Sequence, residues 1–241
     1  MTVRDGSGSV DGGNRQTYSD STMRRVEYDD LSQRVYKVLK QMILDGELET
    51  GSRLAQDDLA QRLGVSRTPL LSAFTKLERE MLVETIPRRG TYVRSFSTQE
   101  LLDVFDIRLR LEPLGARGAA EHAADEDFEE LRSLTDRYRA SIEAGAVERL
   151  QHEDFDFHLL IMRMSGNTFL SNIVASSNII LIANVQGLIK PAGESLAEHV
   201  HLVDAICRQD ADSAEELMYH HLFSSRAALA RRVTQSPSIS P

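Results

Sequence analysis

Four residues in the second half of the chain have the types and spacing to hold a metal ion: Asp154, His158, His199 and His221. Asp154 and His158 are four apart, so on a helix their side chains reach the same point. They share a helical face with Phe155, Ile161 and Met162. His199 stands in a stripe with Leu196, Leu202, Val203 and Ile206, and His221 in one with Ala214, Leu217, Met218 and Ala228. An inward carboxylate and three inward imidazoles are costly to bury without partners. A divalent metal such as zinc, nickel or manganese satisfies all of them, with three nitrogen donors and one oxygen donor. An octahedral ion keeps open positions and a tetrahedral zinc can gain a fifth ligand, so a small-molecule carboxylate could complete the shell. The alternative is a hydrogen-bonded Asp–His network with water. His122, His152, His201 and His220 fall off the apolar stripes and are expected at the surface.

The elements that must position this set are all helical. Ser97-Thr98-Gln99-Glu100 is a capping box that opens a long helix through Leu101, Val104, Ile107, Leu111, Leu114 and Ala119. Leu131, Leu134 and Tyr138 mark a second helix ending near Gly145. Further helices are predicted over 147–164, 168–189, 194–208 and 211–232, and the short linkers between them favour antiparallel neighbours. The tail over 233–241 is rich in Ser and Pro and reads as flexible.

The first half carries a different pattern. Leu31, Val35, Val38, Leu39, Met42 and Ile43 form the stripe of a helix that starts at Asp29 or Asp30. Leu59, Ala60 and Leu63 belong to a short helix that Gly64 can end in the left-handed conformation, with Val65 as a buried corner. Ser66 can then cap a second helix with Leu70, Ala73, Phe74 and Leu77 inward, and Arg67 and Thr68 in its exposed first turn. Two helices joined this way suit a helix-turn-helix entering a major groove, although an ordinary helical hairpin has the same pattern. Residues 82–86 and 91–93 then alternate as two short strands around Pro87-Arg88-Arg89-Gly90. Helices followed by a hairpin with a basic tip make a winged helix. Arg88, Arg89 and Gly90 would reach phosphate or the minor groove, and Arg53 would touch the backbone.

The domains expected are a disordered Gly/Ser/Asp-rich lead over 1–25, a winged-helix domain over 26–95 and a helical bundle over 96–232. The overall charge of −9 argues against a generic nucleic-acid binder, but it is unevenly spread. Residues 24–95 carry 13 basic against 11 acidic residues, and residues 96–241 carry 13 against 23. Only the first domain is suited to phosphate. A single cysteine, Cys207, excludes an internal disulfide framework and fits a cytoplasmic location. No apolar run approaches a membrane span.

The stretches GELETGSRLAQDDLAQRLGVSRTPL and LEREMLVETIPRRGTYV, followed by DIRLRLEPLGARGAA, DFDFHLLIMRMSGN and EHVHLVDAICRQDADSAEELMYHHL, resemble the GntR family of bacterial transcription regulators, in its FadR-like branch with a helical FCD effector domain. The resemblance covers residues 28–230. It implies a homodimeric repressor or activator that reads a pseudo-palindromic operator in double-stranded DNA and is retuned by a small effector. It also implies that Asp154, His158, His199 and His221 match the metal positions of metal-binding members, and that Arg108 is a pocket-side arginine able to pair an effector carboxylate. A small organic acid is the expected effector. Departures matter: Leu71 and Ser72 replace a common arginine and glutamate, Ala55 replaces a capping Ser, and Met81 replaces a frequent Gly. A metalloenzyme with a vestigial DNA-binding domain, or a metal-free ligand sensor, are the alternative functions.

Overall fold

The computed structural model describes residues 21–184 and 188–235. The lead over residues 1–20 and the tail over 236–241 lie outside the described residues. The first helix, α1, spans Ser21–Leu44. It starts before the expected Asp29 or Asp30, since neither Gly nor Pro interrupts the chain between Ser21 and Gly46. Val35, Leu39, Met42 and Ile43 are buried as expected, whereas Leu31 and Val38 lie on the exposed margin.

Helix α2 (Gln56–Leu63) ends at Gly64, whose φ of 64° is left-handed as the turn requires. Val65 is only partly buried, packed at the edge of the core. Helix α3 (Arg67–Arg79) buries Leu70, Ala73, Phe74 and Leu77 against α1. Strands β1 (Val83–Ile86) and β2 (Gly90–Val93) pair antiparallel, with Val83 opposite Val93 and Ile86 opposite Gly90. Three helices and a two-stranded wing therefore form the N-terminal unit.

Among the described residues, no strand follows β2. Helix α4 (Thr98–His122) opens with the full Ser97–Glu100 capping box. Its buried face is only partly the one expected. Leu101 and Ala119 are buried, and Val104 and Leu111 pack at the core's edge. Ile107 and Leu114 are instead 48% and 47% exposed, and the inward positions also include Phe105, Arg108, Leu109, Glu112 and Ala116. Helices α5 (Asp125–Glu143) and α6 (Val147–Met164) follow. Helix α4 packs closely on the end of α6, where a Cβ at Gly118 would collide with the Ser165 carbonyl.

The single helix expected over 168–189 is two. Helix α7 (Thr168–Ser177) stops at Asn178, which takes a left-handed φ of 53°, and α8 covers Ile179–Asn184. The Ser177 hydroxyl bonds back to the Ile173 carbonyl at 2.6 Å, and such back-bonding weakens a helix end. Helices α9 (Ala192–Cys207) and α10 (Ala211–Gln235) complete the bundle. Helix α10 lies antiparallel along α4, fixed by Arg226–Asp106 and Arg117–Asp212 pairs at 2.7 Å. The fold is mainly α, a winged helix-turn-helix followed by an antiparallel helical bundle.

Candidate metal centre and nucleic-acid interface

Helices α6, α9 and α10 bring Asp154, His158, His199 and His221 together in the bundle core. All four are buried, and one donor atom from each lies within 4.8 Å of every other. His158 Nε2 and His221 Nε2 face each other at 3.2 Å, and His199 Nε2 lies 3.6 Å from Asp154 Oδ1. Phe157 stacks on the His199 ring at 4.0 Å between centroids and holds its orientation.

The outer nitrogens of two of these imidazoles meet carboxylates. Glu112 Oε2 lies 2.6 Å from His158 Nδ1, and Glu198 Oε2 lies 2.7 Å from His221 Nδ1. At His221 that carboxylate accepts from Nδ1, keeps the proton there and leaves Nε2 as a lone pair aimed at the centre. Burial pushes His221 down to about 4, against the Glu198 contact that raises it. Burial likewise holds His199 well below the usual histidine range. Neutral imidazoles are the ligating form.

The decisive atom is His199 Nε2, which is buried without a hydrogen-bond partner. Left without a partner, that nitrogen costs roughly 1–3 kcal/mol. A cation between the four donors removes that cost, so the residues present fit a divalent metal.

Arg108 is neither at the surface nor free. It is 2% exposed and ion-paired through Nε to Glu112, with Nη2 3.3 Å from the second carboxylate oxygen. Burial pushes the Glu112 carboxyl up, but Arg108 and then His158 beside it outweigh that and hold its pKa at about 2. Arg108 nonetheless lines a cavity of about 30 Å³ with Phe105, Asp154, His158, Lys190 and Ser195. Lys190 is buried too, paired with Glu198 and 2.7 Å from Ser224 Oγ. Sequence reasoning missed Glu112, Glu198 and Lys190. Glu112 lies one turn after Arg108, on the face hidden by the wrong choice of stripe. Lys190 falls in the linker between the helices expected over 168–189 and 194–208.

Of the other histidines, His201 and His220 are exposed as expected. His152 is not a free surface group. It pairs with Asp45 at the end of α1 and lies 2.9 Å from Gln41 Nε2, so α6 touches the N-terminal unit there.

The N-terminal unit presents a basic edge. Arg67 and Thr68 are exposed in the first turn of α3, and Arg67 is held by Asp57 at 2.7 Å. Ser66 occupies the cap position, but its hydroxyl makes no capping bond. That side chain is left exposed beside Arg67. Arg88 and Arg89 are exposed on the wing turn, and Arg88 takes a positive φ of 64° after Pro87. Gly90 has a φ of 113°, and a Cβ there would meet Arg53 Nε at 3.0 Å, so the Arg53 side chain packs against the turn end of the wing. Leu71 is 44% exposed on the outer face of α3, one turn beyond Arg67.

Comparison with known proteins agrees with this architecture. Residues 31–93 match the model of the gntR family of bacterial regulatory proteins, and residues 103–224 match the FCD domain. The chain belongs to the GntR family of DNA-binding transcription regulators, with a C-terminal FCD domain. It is 25% identical over 196 residues to the HTH-type transcriptional repressor RspR of Escherichia coli K12, covering 80% of this chain and 86% of that protein. It is 28% identical over 201 residues to the HTH-type transcriptional repressor GlaR of the same organism, covering 78% and 91%. The solved structure of E. coli McbR/YncC superposes with a TM-score of 0.73 at 23% identity, covering 84% of this chain and 98% of that one. These relatives are regulators rather than enzymes.

Proposed function

We propose that the chain is a homodimeric repressor whose affinity for a pseudo-palindromic operator is set by a small organic acid at a metal site in the FCD domain. Asp154, His158, His199 and His221 would hold the divalent ion. The observation that carries this reading is the partnerless His199 Nε2 among four buried donors, beside a cavity with two cations on its wall. The metal would supply a Lewis-acidic anchor for a carboxylate. Arg108 and Lys190 would add positive potential where the carboxylate enters, each already steadied by a glutamate. The cavity, about 30 Å³, is large enough to hold water. A carboxylate end group can displace water there, and a longer effector requires the half-buried Leu188 and Ile189 to repack.

Arg67, Ser66 and Thr68 would face the major groove, and Arg53, Arg88, Arg89 and Gly90 would serve phosphate or the minor groove. Arg67 would exchange Asp57 for the DNA. Two half-sites require two copies. Ile107 and Leu114 on α4, with Tyr219 and Phe223 on the adjoining α10, are exposed apolar groups that a second copy would cover. A regulator of chromosomal DNA works in the cytoplasm, and no described helix is long and apolar enough to cross a membrane.

The test is operator binding by chelator-stripped and zinc-loaded protein against a panel of small organic acids. One acid should shift operator affinity by roughly five- to 150-fold, the usual range of allosteric coupling, and only in the loaded protein. An equal shift in a His199→Ala variant would remove the metal from the account.

A further inference from the structure

The C-terminal end of α3 is tied to the effector domain through one carboxylate. Glu80, the residue that closes α3, accepts hydrogen bonds from three side chains on two sides. The Tyr36 hydroxyl lies 2.8 Å from both its oxygens, and Lys40 Nζ lies 3.2 Å from Oε2. Both donors are on α1 and belong to the N-terminal unit. The third is Asn178 Nδ2, at 2.8 Å from Oε2, and it belongs to the helical bundle. Burial and the neighbouring Glu80 push the Tyr36 hydroxyl up, so it stays a donor.

Asn178 is 4% exposed and holds the left-handed turn between α7 and α8. Helix α8 is buried throughout Ile179–Ala183 and packs against α4 and α6. Those two helices carry Arg108 and Glu112, and Asp154 and His158. One rigid segment thus spans from the helices of the metal centre to the end of the recognition helix. The sequence between Ser177 and Ile179 needs a residue tolerant of the left-handed conformation, and Gly alone would suffice for that. Asn adds an amide, and the amide reaches Glu80.

We infer that Glu80 is a positioning residue for DNA recognition, which through Asn178 fixes the orientation of α3 relative to the effector domain. Its use in regulation rests on the metal-and-effector reading above. A shift of α6 or α4 that moves α8 would draw on the Asn178–Glu80 bond and turn the recognition helix. Two further contacts between the units, His152 with Asp45 and Gln41 and Arg94 with Glu100, meet the ends of α1 and β2 rather than α3.

The test uses the full chain. Asn178→Gly removes the amide and keeps the left-handed turn, Glu80→Ala removes the acceptor, and Glu80→Gln keeps one. Native-state hydrogen exchange is read at the amides of Leu77–Leu82. Asn178→Gly and Glu80→Ala should each speed that exchange by roughly tenfold, as expected for losing a bond to a charged group. The double variant should exchange no faster than Glu80→Ala, and Glu80→Gln should stay nearer to the parent. Operator affinity is then compared in stripped and zinc-loaded protein. Asn178→Gly should bring that ratio close to one with zinc stoichiometry unchanged. Unchanged exchange in Asn178→Gly, or effects that multiply in the double variant, would overturn the tie. If exchange responds as stated while the parent's operator affinity ignores zinc and every acid, the tie stands and the metal reading fails.

Discussion

Glu112 Oε2 lies 2.6 Å from His158 Nδ1, behind the four candidate ligands rather than among them. The same carboxylate is paired with Arg108, so it joins the cavity wall to a ligand of the centre. Replacing it by Gln removes the counter-charge of a buried arginine and leaves a single amide oxygen beside His158. Glu112→Gln should destabilise the fold by about 3–5 kcal/mol, the usual result of breaking one side of a buried pair. Glu198→Gln acts on His221 from a half-exposed position and should weaken metal binding by roughly 10–100-fold, the range seen for outer-shell partners. Denaturant titration reads the first effect and competition with a metal-binding dye reads the second. Equal metal affinity in Glu198→Gln and the parent would show that Glu198 does not orient a ligand.

Metal should also stabilise the folded chain by mass action. With free zinc at 100 times its dissociation constant the gain is about 2.7 kcal/mol. That corresponds to roughly 5–10 °C in melting temperature for a chain of this size. Stripping with a chelator should lower the melting temperature by that amount, and His199→Ala should abolish the response. Elemental analysis should give about one ion per chain in the parent and none in His199→Ala. A chelator-insensitive melt would favour the hydrogen-bonded network.

The buried cluster of Asp154, His158, His199 and His221 was legible in the sequence because an imidazole on an apolar stripe is out of place. Each of the three helices could therefore be read alone. Glu112 was not legible, because Ile107 and Leu114 drew the expected stripe toward one side, while the buried face carries Arg108 and Glu112 among Phe105, Leu109 and Ala116. An i, i+4 Arg–Glu pair on the face of Phe105 and Ala116 was the signal for the inner side. The break at Asn178 was hidden for a related reason. The apolar run from Ile179 continues the helical pattern, and the Ser-Ser-Asn before it is a weak stop signal. The wing and the Ser97–Glu100 capping box were legible because their signals are local.

Met81 shows a cost that periodicity cannot reveal. It follows α3 with a φ of 60° and is 47% exposed, so it takes a left-handed conformation with little packing in return. A non-glycine residue there loses about 1–2 kcal/mol, part of which glycine gives back through its freer unfolded chain. Met81→Gly should raise stability by about 0.5–1 kcal/mol, or roughly 1–4 °C in melting temperature. A lower melting temperature would mean that the Met81 side chain contributes packing that its exposure conceals.

Leu71 lies on the outer face of α3, where the family commonly has an arginine. An exposed leucine at that place can meet a thymine methyl but cannot bond a guanine. Leu71→Arg should shift the preferred operator toward guanine at one position of each half-site, with discrimination of about 1–3 kcal/mol per half-site. An unchanged preference would mean that this residue does not reach the bases.

The most direct test of the regulator reading is selection of bound sequences from a random pool of double-stranded DNA by the purified full-length protein at modest salt. Two recognition helices related by a two-fold axis should enrich a short inverted repeat with half-sites about one helical turn apart. A folded protein that enriches no sequence would contradict operator binding, and the metal centre would have to be explained without DNA.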